Sequence, residues 1–443
     1  MPLHSPFRRL QARGLRHPLS RRQLLRQGFL GLGLIGLGAT LRGCGNSSGS
    51  AAGPITSARG RLQIPPLASA PDENGLLIPQ GFRSRVLAQA NQPVAGTGFV
   101  WHTDPDAGAV YPAADGGWVY VSNREFVPGG VNALRFDAQG EITSAYTVLP
   151  GALSRINCGG GVTPWNTWLS GEEYELGLIW ECDPFDTTGT AVQSWRGCGT
   201  FAHEAVAIDP ASNIFYLTED ESDGRFYRFV PTTPNIGGRP STDGVLEALQ
   251  VMTAEDINLE GARGPWPVQW RPIPVPNPLG AVIEDIPLGQ TPTRYQVPET
   301  TAFRGGEGLW FQNGIVYFTT KSDRRVWAHD VAAGTLEVIY DDAFFQPEPV
   351  LDSVDNIVMT PGGDIVVVED KSEANQQAVA ILADGRLAVL VQLVGHEGSE
   401  VTGPAFSPDG RFFYCSSQRG PGNGNSTGTA GITYAIEGPW FRP

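Results

Sequence analysis

The sequence has few basic residues and little cysteine. Its 443 residues include 31 Lys and Arg against 46 Asp and Glu, and only five cysteines. It contains neither a Walker loop nor a Cys-x-x-Cys pair, which argues against a P-loop nucleotide site and a dithiol redox centre. The apolar run at 29–41 is too short and too rich in Gly to be a transmembrane helix.

The first 44 residues have the composition of an export signal. They contain eight arginines and no acidic residue, and the segment 20–26, with Arg21 and Arg22, matches the twin-arginine pattern. We therefore expect an export signal at 1–44, a linker at 45–70, and a periplasmic or extracellular protein. Cys44 ends a segment that resembles a lipobox, with an unusual Arg42, so either lipidation at Cys44 or cleavage near 46–52 is compatible with the sequence.

The charge of the exported chain limits its partners. Removing 1–44 leaves 23 basic residues against 46 acidic ones, a net charge of −23. Such a surface should not bind nucleic acid, whereas it suits a protein that collects divalent cations. Proteins exported by the twin-arginine machinery often fold around a cofactor before export, which favours a metal loaded in the cytoplasm, such as iron. We expect contact with a membrane only through the signal or a lipid anchor.

Four cysteines remain after the signal: Cys158, Cys182, Cys198 and Cys415. Export places them in an oxidising compartment, where two of them can pair. Cys182 and Cys198 are the closest couple in sequence. A disulfide between them and two free thiols are equally compatible with the spacing.

A hairpin pattern repeats along the chain about every 45 to 50 residues. Each unit has a polar or acidic start, an apolar strand, a turn rich in Gly, Pro, Asp or Asn, and a returning apolar strand. We find six such units, and most are followed by a further hairpin. Their first hairpins lie at 117–136, 157–173, 203–220, 306–321, 354–370 and 400–415.

Four strands per unit at this period are typical of a β-propeller blade. We therefore predict an all-β fold, a six-bladed β-propeller at 71–443. The segment around 231–300 is rich in Pro and Gly and shows little strand pattern, so we interpret it as an insertion between blades, a lid or cap over one face.

Cys158 and the Glu172-Glu173 pair stand at the two ends of one hairpin, which would bring them together. A soft thiolate beside hard carboxylates suits a site that holds more than one kind of metal. The alternative is a buried free cysteine with a packing role.

Acidic residues occupy matching positions in the other units. Because the first strands of propeller blades converge on a central channel, residues at matching ends should form a ring there, and packed carboxylates need cations. The alternative for any one of them is a position in water at a loop tip. The first ring would comprise Cys158, Glu204, Glu307, Asp355 and Glu400, and the second Glu172, Glu173, Glu219, Asp220, Glu369 and Asp370.

At these residues the chain resembles the PhoX-type alkaline phosphatases, secreted bacterial phosphatases of propeller fold. The specific part of the likeness is Asn157-Cys158-Gly159-Gly160, followed by Thr163-Pro164-Trp165 and the Glu172-Glu173 pair. Further matching blocks are His203-Glu204-Ala205, Gly306-Glu307-Gly308 and Asp355-Asn356, and the likeness spans about residues 70 to 440.

The resemblance implies hydrolysis of small phosphate esters at a cluster of two Fe³⁺ ions and Ca²⁺ ions bridged by an oxo group. We expect the protein to be a monomer. It implies that Cys158, Glu204 and Glu307 hold the iron and form the catalytic group. The residues implied for calcium are Glu172 or Glu173, Asp220, Asp355, Asn356, Glu369 and Glu400.

The family is expected to place an arginine beside the acid at 307, to grip the phosphate. Here the corresponding candidate is Arg304, three residues before Glu307, with Lys321 and Arg324 as alternatives. Two other functions remain open: a calcium-dependent propeller hydrolase acting on lactones, which would not need Cys158, and an exported propeller that binds a partner and uses calcium only for stability.

Overall fold

The computed structural model describes residues 60–279, 288–344, 351–371, 375–422 and 430–442. The predicted export signal at 1–44, the lipobox at Cys44 and most of the linker lie outside these ranges. No helix in the described ranges is long and apolar enough to cross a membrane.

The chain begins with two strands that pair with sheets formed much later in sequence. The first, β1 (Leu76–Leu77), pairs with β23 (Leu387–Leu393), and the second, β2 (Arg83–Gln89), pairs with β26 (Ile432–Glu437). The remaining strands form antiparallel sheets in chain order, so each unit of the sequence becomes one stack of neighbouring strands.

The first half of the structure contains two four-stranded sheets and one longer sheet. The first sheet has β3 (Pro105–Pro112), β4 (Trp118–Arg124), β5 (Val131–Phe136) and β6 (Ile142–Leu149). The second has β7 (Asn157–Val162), β8 (Trp168–Glu172), β9 (Ile179–Cys182) and β10 (Val192–Ser194). The longer sheet begins with β11 (His203–Asp209), β12 (Ile214–Glu219), β13 (Phe226–Pro231), β14 (Gly244–Val251) and β15 (Trp266–Pro272).

The second half repeats the four-stranded pattern. It contains β16 (Gly306–Gln312), β17 (Ile315–Thr320), β18 (Arg325–Asp330) and β19 (Thr335–Tyr340). Next come β20 (Val354–Met359), β21 (Ile365–Glu369), β22 (Gln377–Ile381) and β23 (Leu387–Leu393). The last are β24 (Val401–Phe406), β25 (Phe412–Ser417) and β26 (Ile432–Glu437). Short 3-10 helices lie at Arg196–Cys198, Leu288–Gln290, Thr293–Tyr295 and Asp342–Phe344.

The arrangement is an all-β, propeller-like fold, as the hairpin pattern predicts. The strands β3, β7, β11, β16, β20 and β24, called here the inner strands, each contact the next and close a ring. Hydrophobic clusters fill the spaces between neighbouring sheets; for example, Leu169, Val206 and Phe215 pack together between the sheets of β8 and β12. Burial of these faces holds the sheets around a common axis.

Two details differ from the sequence interpretation. The segment around 231–300 contains the strands β14 and β15, and β15 pairs with both β14 and β19, which joins two four-stranded stacks into one nine-stranded sheet. The first predicted hairpin, at 117–136, is formed by β4 and β5, so the inner strand of that sheet is β3, which the pattern missed. Small residues along β3, such as Gly108, weaken its apolar signal.

Candidate metal centre

A β-bulge interrupts the pairing of every inner strand with the strand that follows it in sequence. In β7, for example, Asn157 pairs with Glu172 and Gly160 with Ser170, so Cys158 and Gly159 together face one residue of β8. A bulge re-aims the side chain at its first position. On five inner strands that position carries a residue able to bind a metal: Asp106, Cys158, Glu204, Glu307 and Asp355.

Small residues follow these positions because the inner strands approach one another closely. A Cβ atom on Gly159 would lie 2.3 Å from the backbone oxygen of Glu204, and one on Gly308 would lie 2.6 Å from the Cα atom of Asn356. Both distances are too short for a side chain, so glycine lets consecutive bulges share one narrow space. This explains the Cys-Gly and Glu-Gly pairs of the sequence in physical terms.

A second set of side chains comes from the residue directly after the second strand of each sheet. Four of these residues are acidic, one is a lysine and one is a glutamine. They are Glu125, Glu173, Asp220, Lys321, Asp370 and Gln418.

Members of the two sets, together with Glu400 directly before β24, form four overlapping groups, within each of which the candidate ligand atoms lie within 4.8 Å of one another. Consecutive groups share one residue, and we call their nine members the cluster. The groups are Asp106/Glu125/Cys158, Cys158/Glu173/Glu204, Glu204/Glu307/Asp355 and Asp355/Asp370/Glu400.

Glu204 has an unusual environment for a carboxylate. Its side chain is fully buried, and neither carboxylate oxygen has a hydrogen-bond donor among the described residues, other than the weak donor thiol of Cys158. A buried carboxylate without a partner is costly, whereas a cation satisfies it. The donors around it are oxygens and one sulfur, which together suit a hard cation such as calcium and an iron ion.

Burial and mutual repulsion shift the protonation of these acids. Burial raises the pKa of Glu204, Glu307 and Asp355 well above the ordinary range, and neighbouring carboxylates raise it further. Burial together with the charge of Asp106 does the same to the pKa of the Cys158 thiol. These groups therefore ionise together only when cations compensate them.

The pKa values of two further acids of the cluster are raised to values that a titration can measure. Burial, followed by the charge of Asp220, raises the pKa of Glu173 to about 7. Burial, followed by the charge of Asp370, raises the pKa of Glu400 to about 8. Cation binding at these two residues should therefore weaken as the pH falls below these values.

Two basic side chains touch the cluster. Lys321 Nζ lies 2.8 Å from Glu307 Oε1 and 3.2 Å from Asp370 Oδ2, and the Lys321 side chain is 28% exposed. Arg419 Nη2 lies 2.9 Å from Glu400 Oε1. Of these two, Lys321 was singled out in the sequence as a phosphate-binding candidate, and the structure places it beside the cluster.

Several predicted metal ligands lie outside the four groups. Glu172 accepts hydrogen bonds from the backbone N–H groups of Arg155 and Leu178, each at 3.0 Å. Glu369 accepts from the backbone N–H groups of Asp352 and Gln377 at 2.8 and 2.9 Å. Both carboxylates thus fix the backbone of the loops before and after their strands through these hydrogen bonds.

Two other predicted residues stand beside the cluster. Asp220 follows β12 and lies 3.7 Å from Lys321 Nζ. The side chain of Asn356 bridges two strands, since its Nδ2 donates to Asp355 Oδ1 at 2.9 Å while its Oδ1 accepts from the backbone N–H of Gly403 at 3.1 Å. Asn356 therefore fixes the orientation of Asp355.

Arg304 is exposed, and among the described residues no ion pair joins it to the cluster. Gly305 intervenes, with φ +71°, and a Cβ atom there would lie 3.1 Å from Asp220 Oδ1. Arg324 pairs instead with Asp342 and Asp352, at 3.1 and 2.7 Å. Lys321 is thus the only one of the three candidates that the described residues show in contact with the cluster.

Sequence reasoning missed Asp106, Glu125 and Arg419. Asp106 and Glu125 belong to the first sheet, where the inner strand was not recognised, although Glu125 follows an apolar strand as Glu173 does. Gln418 Nε2 donates to Asp106 Oδ2 at 2.7 Å and also to Glu125, which ties the first and last sheets together at the cluster.

The described cysteines are free thiols. The disulfide considered between Cys182 and Cys198 is not formed, because the two side chains belong to different hydrophobic clusters. Both are fully buried and pack as small apolar residues.

The inner strands also line a cavity of about 540 Å³ beside the cluster. Its wall is formed by residues that follow the bulges, including Ala109, Gly160, Val206 and Leu309. The central channel of the fold is therefore apolar along the strands and acidic at the end where the bulges lie.

Comparison with known proteins identifies related sequences and folds. The sequence profile of the family described as alkaline phosphatase PhoX matches residues 174–335 and 337–422, more than half of the chain. No protein with a curated description matches the sequence.

Among solved structures, PhoX of Pseudomonas fluorescens in complex with vanadate, a transition state analogue, is similar, with a TM-score of 0.63 and 16% identity over 86% of this chain and 98% of that one. A gluconolactonase of Xanthomonas campestris has a TM-score of 0.46 and 11% identity over 86% of this chain and 99% of that one. At 16% identity, the likeness to PhoX of Pseudomonas fluorescens concerns the fold.

Proposed function

Because the chain belongs to the alkaline phosphatase PhoX family, we propose that it hydrolyses phosphate monoesters at an iron and calcium centre held by the cluster. The family membership confirms the resemblance read from the sequence and the predicted enzyme class, an alkaline phosphatase.

The observation that carries the proposed metal centre is the chain of four ligand groups around the buried carboxylate of Glu204, whose only donor among the described residues is the weak Cys158 thiol. Iron fits the part with the soft donor, where Cys158, Glu173 and Glu204 meet, with Glu307 next to them. Calcium fits the two groups that offer only oxygen, Glu204/Glu307/Asp355 and Asp355/Asp370/Glu400.

Cations held in the cluster would neutralise the negative charge of a phosphate monoester and of its transition state. Lys321 is partly exposed beside Glu307 and Asp370, so its ammonium group can donate to a phosphate oxygen at the edge of the cluster. The nine cluster residues would hold these cations, and the closely packed bulges exclude water from between the strands.

We further propose the architecture and location that the sequence predicts. The stacks β11–β14 and β16–β19 would count as two blades, so residues 71–443 would form one six-bladed domain; the closed ring of inner strands supports this count. The segment around 231–300 would be an addition between these two blades. The twin-arginine signal would deliver the folded monomer to the periplasm or beyond, with or without a lipid at Cys44.

Metal analysis of the purified protein, combined with a phosphatase assay, tests the proposed function. We expect both iron and calcium, hydrolysis of an aryl phosphate, and inhibition by vanadate. Calcium without iron would contradict the iron centre and favour a calcium-dependent lactonase or a propeller that only binds a partner. Lactone hydrolysis measured on the same sample separates these two.

A further inference from the structure

The four ligand groups of the cluster differ in the positive side chains that lie beside them. Lys321 is one of only two lysines in the chain, and it follows β17 at the position where β4, β8, β12 and β21 are followed by Glu125, Glu173, Asp220 and Asp370. A positive side chain thus follows β17 at a position that is acidic after four equivalent strands.

Lys321 is directed toward one end of the cluster. Its Nζ atom contacts Asp370 at 3.2 Å and Glu307 at 2.8 Å. Its ammonium also interacts with the charge of Asp355, since the burial that lowers the pKa of Lys321 is outweighed by Glu307, Asp355 and other acids, which raise it. Two members of the group Asp355/Asp370/Glu400 therefore already have a positive neighbour.

Arg419 supplies the third member of the same group with a positive partner. It lies 2.9 Å from Glu400, and its side chain is 30% exposed. Lys321 and Arg419 thus flank the group Asp355/Asp370/Glu400 from its two sides.

The group Cys158/Glu173/Glu204 has no such contact, although the charge of Lys321 reaches Glu173 from beyond ion-pair distance and lowers its pKa. Within the described ranges, no Lys or Arg lies in ion-pair contact with Glu173 or Glu204, or with Glu125 of the adjoining group. A cation bound between these residues is therefore opposed less than one bound at Asp355, Asp370 and Glu400, because two positive side chains are in direct contact with members of that group.

We propose that the positive charges of Lys321 and Arg419 lower the affinity of the group Asp355/Asp370/Glu400 for calcium. The calcium ion held there would then be the most weakly bound of the centre and the first to be exchanged. This inference rests on the proposed function, because it requires a calcium-loaded cluster. It makes Lys321 and Arg419 positioning residues that set the strength of one site.

Graded chelation of the holoprotein tests the inference without an activity assay. Samples equilibrated with increasing concentrations of a calcium chelator are freed of the chelate, and their calcium and iron content is measured. We expect the wild-type protein to release one calcium ion before the others. In Lys321→Met and in Arg419→Met, release of the first calcium ion should need a chelator concentration at least about tenfold higher, because a charge that repels calcium has been removed.

Arg324→Met is the matched control. Arg324 lies on the same turn as Lys321 but pairs with Asp342 and Asp352 outside the cluster, so its removal should leave the first release unchanged. Lys321→Arg keeps the charge and should behave as the wild type.

Two results would overturn the inference: simultaneous release of all calcium from the wild-type protein, or a first release that Lys321→Met and Arg419→Met leave unchanged or make easier. Using both variants guards against misfolding of one of them. A wild-type holoprotein without calcium would instead refute the proposed centre itself, so the two failures are distinguishable.

Discussion

Glu172 and Glu173 are neighbours in sequence, yet their carboxylates have different contacts. Glu172 accepts two backbone hydrogen bonds at 3.0 Å and closes the loop around β8, whereas a carboxylate oxygen of Glu173 lies within 4.8 Å of the ligand atoms of Cys158 and Glu204. Because successive side chains leave a strand on opposite sides, only the second acid of the pair enters the cluster.

This relationship predicts different outcomes for two matched variants. Glu173→Gln should lose metal and phosphatase activity, because a neutral amide is a poor ligand. Glu172→Gln should keep its metals and lose about 1 to 2 kcal/mol of unfolding free energy, since one buried N–H would face an amide NH₂. Metal content and denaturant unfolding of both proteins check the pair. Metal loss confined to Glu172→Gln would reverse the assignment.

Cys158→Ser and Cys158→Ala should both lose iron together with phosphatase activity, because each removes the only soft donor of the cluster. Cys415→Ala is the control: it truncates a buried cysteine in a hydrophobic cluster far along the chain, and it should cost about 1 to 2 kcal/mol of stability while keeping the metals. Unchanged iron in folded Cys158→Ser would refute the role proposed for this thiol.

Stability of the metal-free protein should fall as the pH rises. The pKa values of Glu173 and Glu400 are raised to about 7 and about 8 in the folded state. Between roughly pH 4.5 and 8 the folded protein therefore holds protons that the unfolded chain has released, so the contribution of these groups is complete below this window and lost through it.

Thermal unfolding of chelated protein at pH 5, 7 and 8.5 measures this dependence, with each pH chosen around the two shifted values. We expect the unfolding temperature to fall along the series and calcium to restore it most strongly at the highest pH. A metal-free protein that became more stable toward pH 8 would show that the cluster acids do not repel one another as the geometry indicates.

Export should depend on the twin-arginine pair. Replacing Arg21 and Arg22 together by Lys should retain the protein in the cytoplasm, because the receptor recognises the paired guanidinium groups. Replacing Arg8 and Arg9 by Lys removes an arginine pair outside the motif and should leave export intact. Fractionation followed by immunoblotting decides between retention and export; export of the Arg21/Arg22 variant would exclude this route.

Local sequence patterns were sufficient for much of the fold. The alternation of apolar residues and the Gly, Pro, Asp and Asn turns predicted β11 with β12, β16 with β17, and β20 with β21, because such strands bury one or both faces and end where the chain must reverse. Cys158, Glu204 and Glu307 stand at matching starts of the predicted hairpins, so the sequence also placed them in one predicted ring.

Contacts between distant parts of the chain had to come from the tertiary structure. The pairing of β2 with β26, the place of Asp106 beside Gln418, and the approach of Lys321 to Asp370 join residues far apart in sequence, and no local pattern encodes them. The sequence by itself determined most of the hairpins, their order and the chemistry available at their ends, but it did not reveal β3, β14 or β15. The bulges and the packing of neighbouring sheets decided which of two adjacent acids enters the cluster, since one residue of register turns a side chain to the opposite face.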